Sequence, residues 1–128
     1  MSRAESKSNS SSELYESLKA WILGHANVTT SPHRFGGTEF QVNGLEFMHS
    51  HGYAHLDIRL SKEDQQRVLK ERKASEHRYA PNAGLVTLKV HSEADTTKAK
   101  DIIELAYKNA RETMSIIEGG RKRGEKES

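Results

Sequence analysis

Asn43-Gly44 is the feature that most restricts how this chain can fold. A two-residue hairpin turn of type I′ needs positive φ at both central positions, and Asn-Gly is the pair that adopts it most readily. Thr38-Glu39-Phe40-Gln41-Val42 alternates on one side of the pair, and Leu45 to Ser50 follows on the other. The two segments are therefore expected to pair antiparallel. A second turn near His51-Gly52-Tyr53 feeds a third strand, Ala54 to Leu60. In that strand Ala54, Leu56, Ile58 and Leu60 share one face, and His55, Asp57 and Arg59 share the other. Such alternation describes an antiparallel sheet with one face packed and one face open.

Helical patterns flank the strands. Ser12 reads as an N-cap for a short helix whose Leu14, Leu18, Trp21 and Ile22 recur at helical spacing, with Gly24 at its end. Val28-Thr29-Thr30 and Ser31-Pro32 form an extended approach to Phe35-Gly36-Gly37. Ser61 and Asp64 resemble a capping box opening a helix to about Lys73, with Val68 and Leu69 as its narrow apolar stripe. The segment from Ala74 to Gly84 reads as a loop, and Leu85 to Val90 as a fourth strand. Ser92 or Asp95 caps a last helix whose stripe is Ala99, Ile102, Ile103, Ala106, Ala110, Met114 and Ile117, with Gly119-Gly120 as its stop. Trp21 and Tyr107 read as packing aromatics. The order α-β-β-β-α-β-α predicts an α+β fold: a two-layer sandwich with a mostly antiparallel four-stranded sheet covered by helices. The expected organisation is a disordered Ser-rich tail over 1–11, one α+β domain over 12–118 and a flexible basic tail over 119–128.

Composition narrows the functional classes. The chain has 128 residues and no cysteine, which excludes disulfides, thiolate zinc sites and cysteine nucleophiles. No apolar run approaches the roughly 20 residues that span a bilayer, and no signal-peptide core opens the chain. A soluble, cytoplasmic protein without membrane contact is the expectation. The net charge of +2 is matched by the last eight residues alone, so the body is neutral overall. That distribution argues against a nucleic-acid-binding body. An exposed strand edge leaves monomer and homodimer both open.

Chemistry concentrates in Phe47-Met48-His49-Ser50-His51-Gly52-Tyr53-Ala54-His55. His49 and His51 are two apart, so in a strand both leave the same face. Asp57 lies just beyond, and His33 and His77 flank the segment. No Gly-x-Ser-x-Gly elbow, phosphate loop, Gly-x-Gly-x-x-Gly fingerprint or His-Glu-x-x-His helix accompanies them. His55, His77 or Asp57 could complete a metal shell around His49 and His51. Strand histidines on an open face usually bind nothing, so no metal ligand is assigned, and the cofactor stays unknown. The catalytic candidates are His49, His51, Asp57 and Glu46. His49 or His51 would be the general base, Asp57 would orient it, and Glu46 joins only if strand parity brings it to the same face. His33, Arg34, Gly36, Gly37, His77 and Arg78 are candidates for binding a small ligand, with Arg34 or Arg78 holding an anionic group. Whether the chain is an enzyme stays open, the alternative being a protein- or nucleic-acid-binding module.

Pro32-His33-Arg34-Phe35-Gly36-Gly37-Thr38-Glu39-Phe40, then Gly44-x-Glu46-x-x-His49-x-His51-Gly52 with Asp57, then His77, Pro81, Gly84, Val86-Thr87 and Tyr107, resemble the luciferase-labelled domain family over roughly residues 14 to 111. The resemblance implies a compact α+β domain with Glu46, His49, His51, Asp57 and His77 as matching polar positions. It does not imply light emission. Met48 stands where that family often has Gly, and Leu85 where it often has Trp. The strand order is also similar to the MmcQ/YjbR type, at the level of fold.

Overall fold

A computed structural model describes residues 10–33, 36–76 and 84–127 of the chain. Helix α1 spans Ser11–Leu23, and strands β1 to β4 follow at Val28–Pro32, Thr38–Val42, Leu45–His51 and His55–Arg59. Helix α2 is Lys62–Lys70, β5 is Ser75–Glu76, β6 is Leu85–Lys89, and α3 is Glu93–Glu127. The fold is α+β, as expected, but among the described residues the sheet has six strands rather than four. Its order is β1-β2-β3-β4-β6-β5, and every pairing is antiparallel. The two additional strands are the edges. Val28–Pro32 extends the sheet beside β2 instead of merely approaching it. Pro32 fits there because an edge strand can dispense with one backbone donor. Ser75–Glu76 is a two-residue edge inside what the sequence presents as a loop.

The hairpin forms as expected. Asn43 has φ 52° and Gly44 φ 88°, and Val42 pairs with Leu45 across the turn. The inner face carries Phe40, Val42, Phe47, Met48, Leu56, Ile58, Val86 and Leu88. Leu14, Leu18 and Ile22 of α1 and Ala99, Ile102, Ile103, Ala106 and Ala110 of α3 close over it. Burial of those side chains, each worth about 1.5–3 kcal/mol for the larger ones, offsets the chain entropy of ordering the sheet. Tyr107 is buried as a packing aromatic, and its hydroxyl donates to the Ala26 carbonyl at 2.8 Å. Trp21 packs partly buried against the same core.

Helix ends depart from the sequence reading in two places. Ser10, not Ser12, caps α1. Its Oγ accepts from the Glu13 N–H at 3.2 Å, and the Glu13 carboxylate accepts from the Ser10 N–H at 2.8 Å. Of Ser10, Ser11 and Ser12, Ser10 alone has Glu three residues on, which is what a reciprocal box requires. Gly119-Gly120, expected as a stop, lie inside α3, which runs to Glu127. Glycine lowers helix stability by about 1 kcal/mol per residue but does not remove a donor as proline does. Ser61 caps α2 as expected, accepting from the Asp64 N–H at 3.1 Å. Ser92 caps α3, and Asp95 returns a carboxylate oxygen to the His91 N–H at 2.9 Å.

Gly84 has φ +83°, and a Cβ there would sit 2.4 Å from the Leu60 carbonyl oxygen. The same contact carries the Leu60 N–H to Gly84 carbonyl bond, 2.8 Å, which joins the end of β4 to the start of β6. Among the described residues no helix is long and apolar enough to cross a membrane.

Candidate functional site

The outer face of the sheet gathers the histidines because strand register aligns them in rows. Glu39 of β2, His49 of β3, Asp57 of β4 and Thr87 of β6 are successive cross-strand partners. The neighbouring row is His51, His55 and Lys89. Strands lie ≈ 4.8 Å apart, so partners within a row touch, and diagonal neighbours in the next row stay within reach of long or aromatic side chains.

Glu46 arrives by a different device. Gln41 pairs with Glu46 while Phe40 pairs with Met48, so β3 holds one extra residue, Phe47. This is a β-bulge. It lets Phe47 and Met48, adjacent in sequence, both enter the core. It also changes the parity of the strand, so that Glu46 and His49 share the outer face despite their odd spacing.

His49 then sits between two carboxylates. Its Nδ1 is 2.7 Å from Glu46 Oε2, and its Nε2 is 3.1 Å from Asp57 Oδ2. His51 Nε2 approaches the same Oδ2 at 3.8 Å. The other oxygen of Asp57, Oδ1, accepts from the Thr87 hydroxyl at 2.7 Å and lies 3.0 Å from His55 Nε2. Asp57 is only 2% exposed, so this carboxylate is buried although its strand face is the open one. His33 stacks on His49, with ring centroids 4.2 Å apart and planes inclined 20°.

The electrostatics follow from that arrangement. Burial depresses the His49 pKa, but hydrogen bonds to Asp57 and Glu46 and their charges outweigh it and push it up to about 9. Burial raises Asp57, yet the bonds from His49 and Thr87 and the nearby imidazoles hold it well below the usual carboxylate range. Glu46 is likewise lowered: burial opposes ionisation, and its bond and charge contact with His49 prevail. His51 is lowered by its own desolvation and by the positive charge on His49. His49 therefore holds both its protons near neutrality, whereas His51 offers a free lone pair.

The linkage sign gives a stability profile for the metal-free protein. His49 has a folded pKa above its unfolded value, so its contribution is full below pH 6.5 and fades as pH rises through about 9. The side chain is 9% exposed, so little of the effect is lost to solvent screening. A shift of this size corresponds to up to about 3 kcal/mol. Urea unfolding along a pH series should show that decline, and His49→Gln should flatten it. An undiminished slope in His49→Gln would place the titration elsewhere.

Sequence reasoning proposed Glu46, His49, His51 and Asp57, and these four lie together. His33 joins them by stacking. Gly36 and Gly37 form the β1–β2 connection, where the His33 N–H donates to the Gly37 carbonyl at 3.1 Å. Arg34, His77 and Arg78 lie outside the described residues. Thr87 was not singled out. Its signal was its position, since it faces outward between the inward Val86 and Leu88.

Residues 44–106 match the family model of the Luciferase domain. The matched stretch opens at the hairpin glycine and contains Glu46, His49, His51, His55, Asp57 and Thr87. It bears out the resemblance carried by the Glu-x-x-His-x-His-Gly spacing, over a shorter span than 14 to 111. Within the matched segment, Met48 and Leu85 are both buried. Met48 fills core beneath the bulge. No curated protein matches the chain.

Proposed function

We propose that the outer-face cluster is a mononuclear divalent-metal centre that acts on a small ligand, with His49 Nε2, His51 Nε2 and Asp57 Oδ2 as ligands. The observation that carries this reading is that His49, His51 and Asp57 each bring a donor atom to within 4.8 Å of the others, with both Nε2 atoms facing Asp57 Oδ2 at 3.1 and 3.8 Å. Two imidazoles and one carboxylate suit zinc, iron, cobalt or manganese, and three protein ligands leave positions open for water and ligand. Glu46 supports the same reading. A carboxylate on Nδ1 fixes the tautomer that presents Nε2 to a metal, the usual partner of a ligating histidine. Asp57 is oriented in the same manner by Thr87 and His55 on its other oxygen. Metal binding at Nε2 displaces the proton that His49 otherwise shares with Asp57, so uptake releases protons.

Cobalt(II) titration of protein purified without an affinity tag tests the proposal. One equivalent should bind with d–d absorption and with proton release, and free metal at 100 times Kd should raise stability by about 2.7 kcal/mol. Glu46→Gln should weaken binding by about 10- to 100-fold. The His49→Ala/His51→Ala pair should abolish it while the far-ultraviolet circular dichroism is retained. Stoichiometric binding that survives in this folded pair would refute the assignment, as would no binding at all. A binding module that does not use the cluster would keep its partner in the same double variant.

A further inference from the structure

We infer that an open groove beside the cluster, of about 710 Å³, receives the anionic end of a small organic ligand. Its size falls within the usual range of ligand sites. The groove runs along β6 between the end of α2 and the start of α3. Arg72, Lys73, Lys89 and Lys98 line it, against the carboxylates of Glu76 and Asp95. Lys73 also pairs with Glu71 at 3.2 Å, and Asp95 is engaged at the α3 cap. The lining is therefore net positive, and Leu69 and Leu88 supply apolar wall.

Two observations tie the groove to the cluster. His55 and Thr87 belong to both, since each lines the groove and each contacts Asp57 Oδ1. The row His51, His55, Lys89 then leads from the proposed metal ligand to the groove's cations. The inference rests on the metal-centre reading only for what lies at the groove's inner end.

Arg72 adds an independent sign. Helix α2 ends in a Schellman motif, with the Lys73 N–H on the Val68 carbonyl and the Arg72 N–H on the Leu69 carbonyl, both 3.0 Å. That motif places Arg72 in the left-handed region at φ 59°, the position where glycine is favoured. An arginine lining the groove is thus held in a conformation that its own backbone disfavours. Guanidinium and ammonium groups together suit a phosphate or carboxylate.

The test is an amide chemical-shift titration of the full-length, metal-free protein with phenyl phosphate, using phenol as the uncharged control. Saturable shifts at Leu69, Leu88 and Lys89 are expected with phenyl phosphate and not with phenol. Lys89→Gln with Lys98→Gln should weaken binding by about tenfold or more with the melting temperature unchanged. Arg72→Gly should lower affinity while raising the melting temperature, a pairing that a purely structural role for Arg72 does not give. Absence of saturable shifts, equal shifts with phenol, or unaltered affinity in these variants would overturn the inference. Because the anion is measured without metal, its failure leaves the cobalt result standing. Failure of cobalt binding likewise leaves the groove intact.

Discussion

Asp57→Ala should destabilise the protein by about 3–5 kcal/mol and abolish metal uptake, the largest effect expected of any polar substitution here. The magnitude comes from what the substitution strands. Asp57 is 2% exposed and is the common acceptor for Thr87, His55 and His49. Its removal leaves a buried imidazolium with Glu46 as its remaining carboxylate contact at 2.7 Å, and leaves the Thr87 hydroxyl without this acceptor. Uncompensated burial of those groups, rather than any intrinsic value of the ion pair, sets the cost. Asp57→Asn keeps the volume and one acceptor oxygen, so it should recover roughly half of the lost stability while leaving metal affinity low. Equilibrium urea unfolding of both variants, with cobalt titration alongside, measures the two quantities separately. A loss below about 1 kcal/mol in Asp57→Ala would mean that the network contributes little and that the cluster is a solvated surface.

Gly37→Ala is expected to cost on the order of 3 kcal/mol and to weaken metal binding by pressing on the backbone of Ser50 and His51. Two terms add. The φ of +88° disfavours any side chain, and the new Cβ would stand 1.9 Å from the Ser50 carbonyl oxygen. Ser50 lies in β3 between His49 and His51, and it pairs with Thr38 in β2. Relief of the clash therefore requires backbone movement in the strand that positions both proposed ligands. Gly36→Ala is the control. Its φ is +95°, but a Cβ there meets nothing within 4 Å, so it carries backbone strain of about 1–2 kcal/mol alone. Denaturation midpoints and cobalt affinities of the two variants separate strain from collision. If Gly37→Ala were no worse than Gly36→Ala in both, the close approach would not be what orders β3.

These two substitutions also mark where sequence reasoning stopped. Asn43-Gly44 announces its own turn, because positive φ at both positions is a local demand. The alternation of β4 announces which side of Leu56 and Ile58 is packed. Gly37 could be noticed but not explained, since the atom it avoids is thirteen residues away in another strand. Asp57 was assigned to the open face, and it does project there. Its burial comes from His55 of its own strand together with His49 of β3 and Thr87 of β6, and spacing within β4 encodes only the first of these. The two edge strands were missed for a similar reason. Val28–Pro32 is polar, and Ser75–Glu76 is too short to carry a pattern, so both owe their strand character to a neighbour's unpaired backbone.

The sequence by itself determined the hairpin, the inward and outward sets of β4, the helical cover and the identity of the four central polar residues, because turn geometry and side-chain periodicity are local properties. Tertiary structure decided that those residues become one site. Phe47 and Met48 compete for the same core, and the bulge that admits both reverses the parity of β3. That reversal sets Glu46 behind His49, and pairing across β3, β4 and β6 sets Asp57 and Thr87 in front of it. Register between strands is fixed by packing over the whole sheet, and so it becomes readable only when the sheet is assembled.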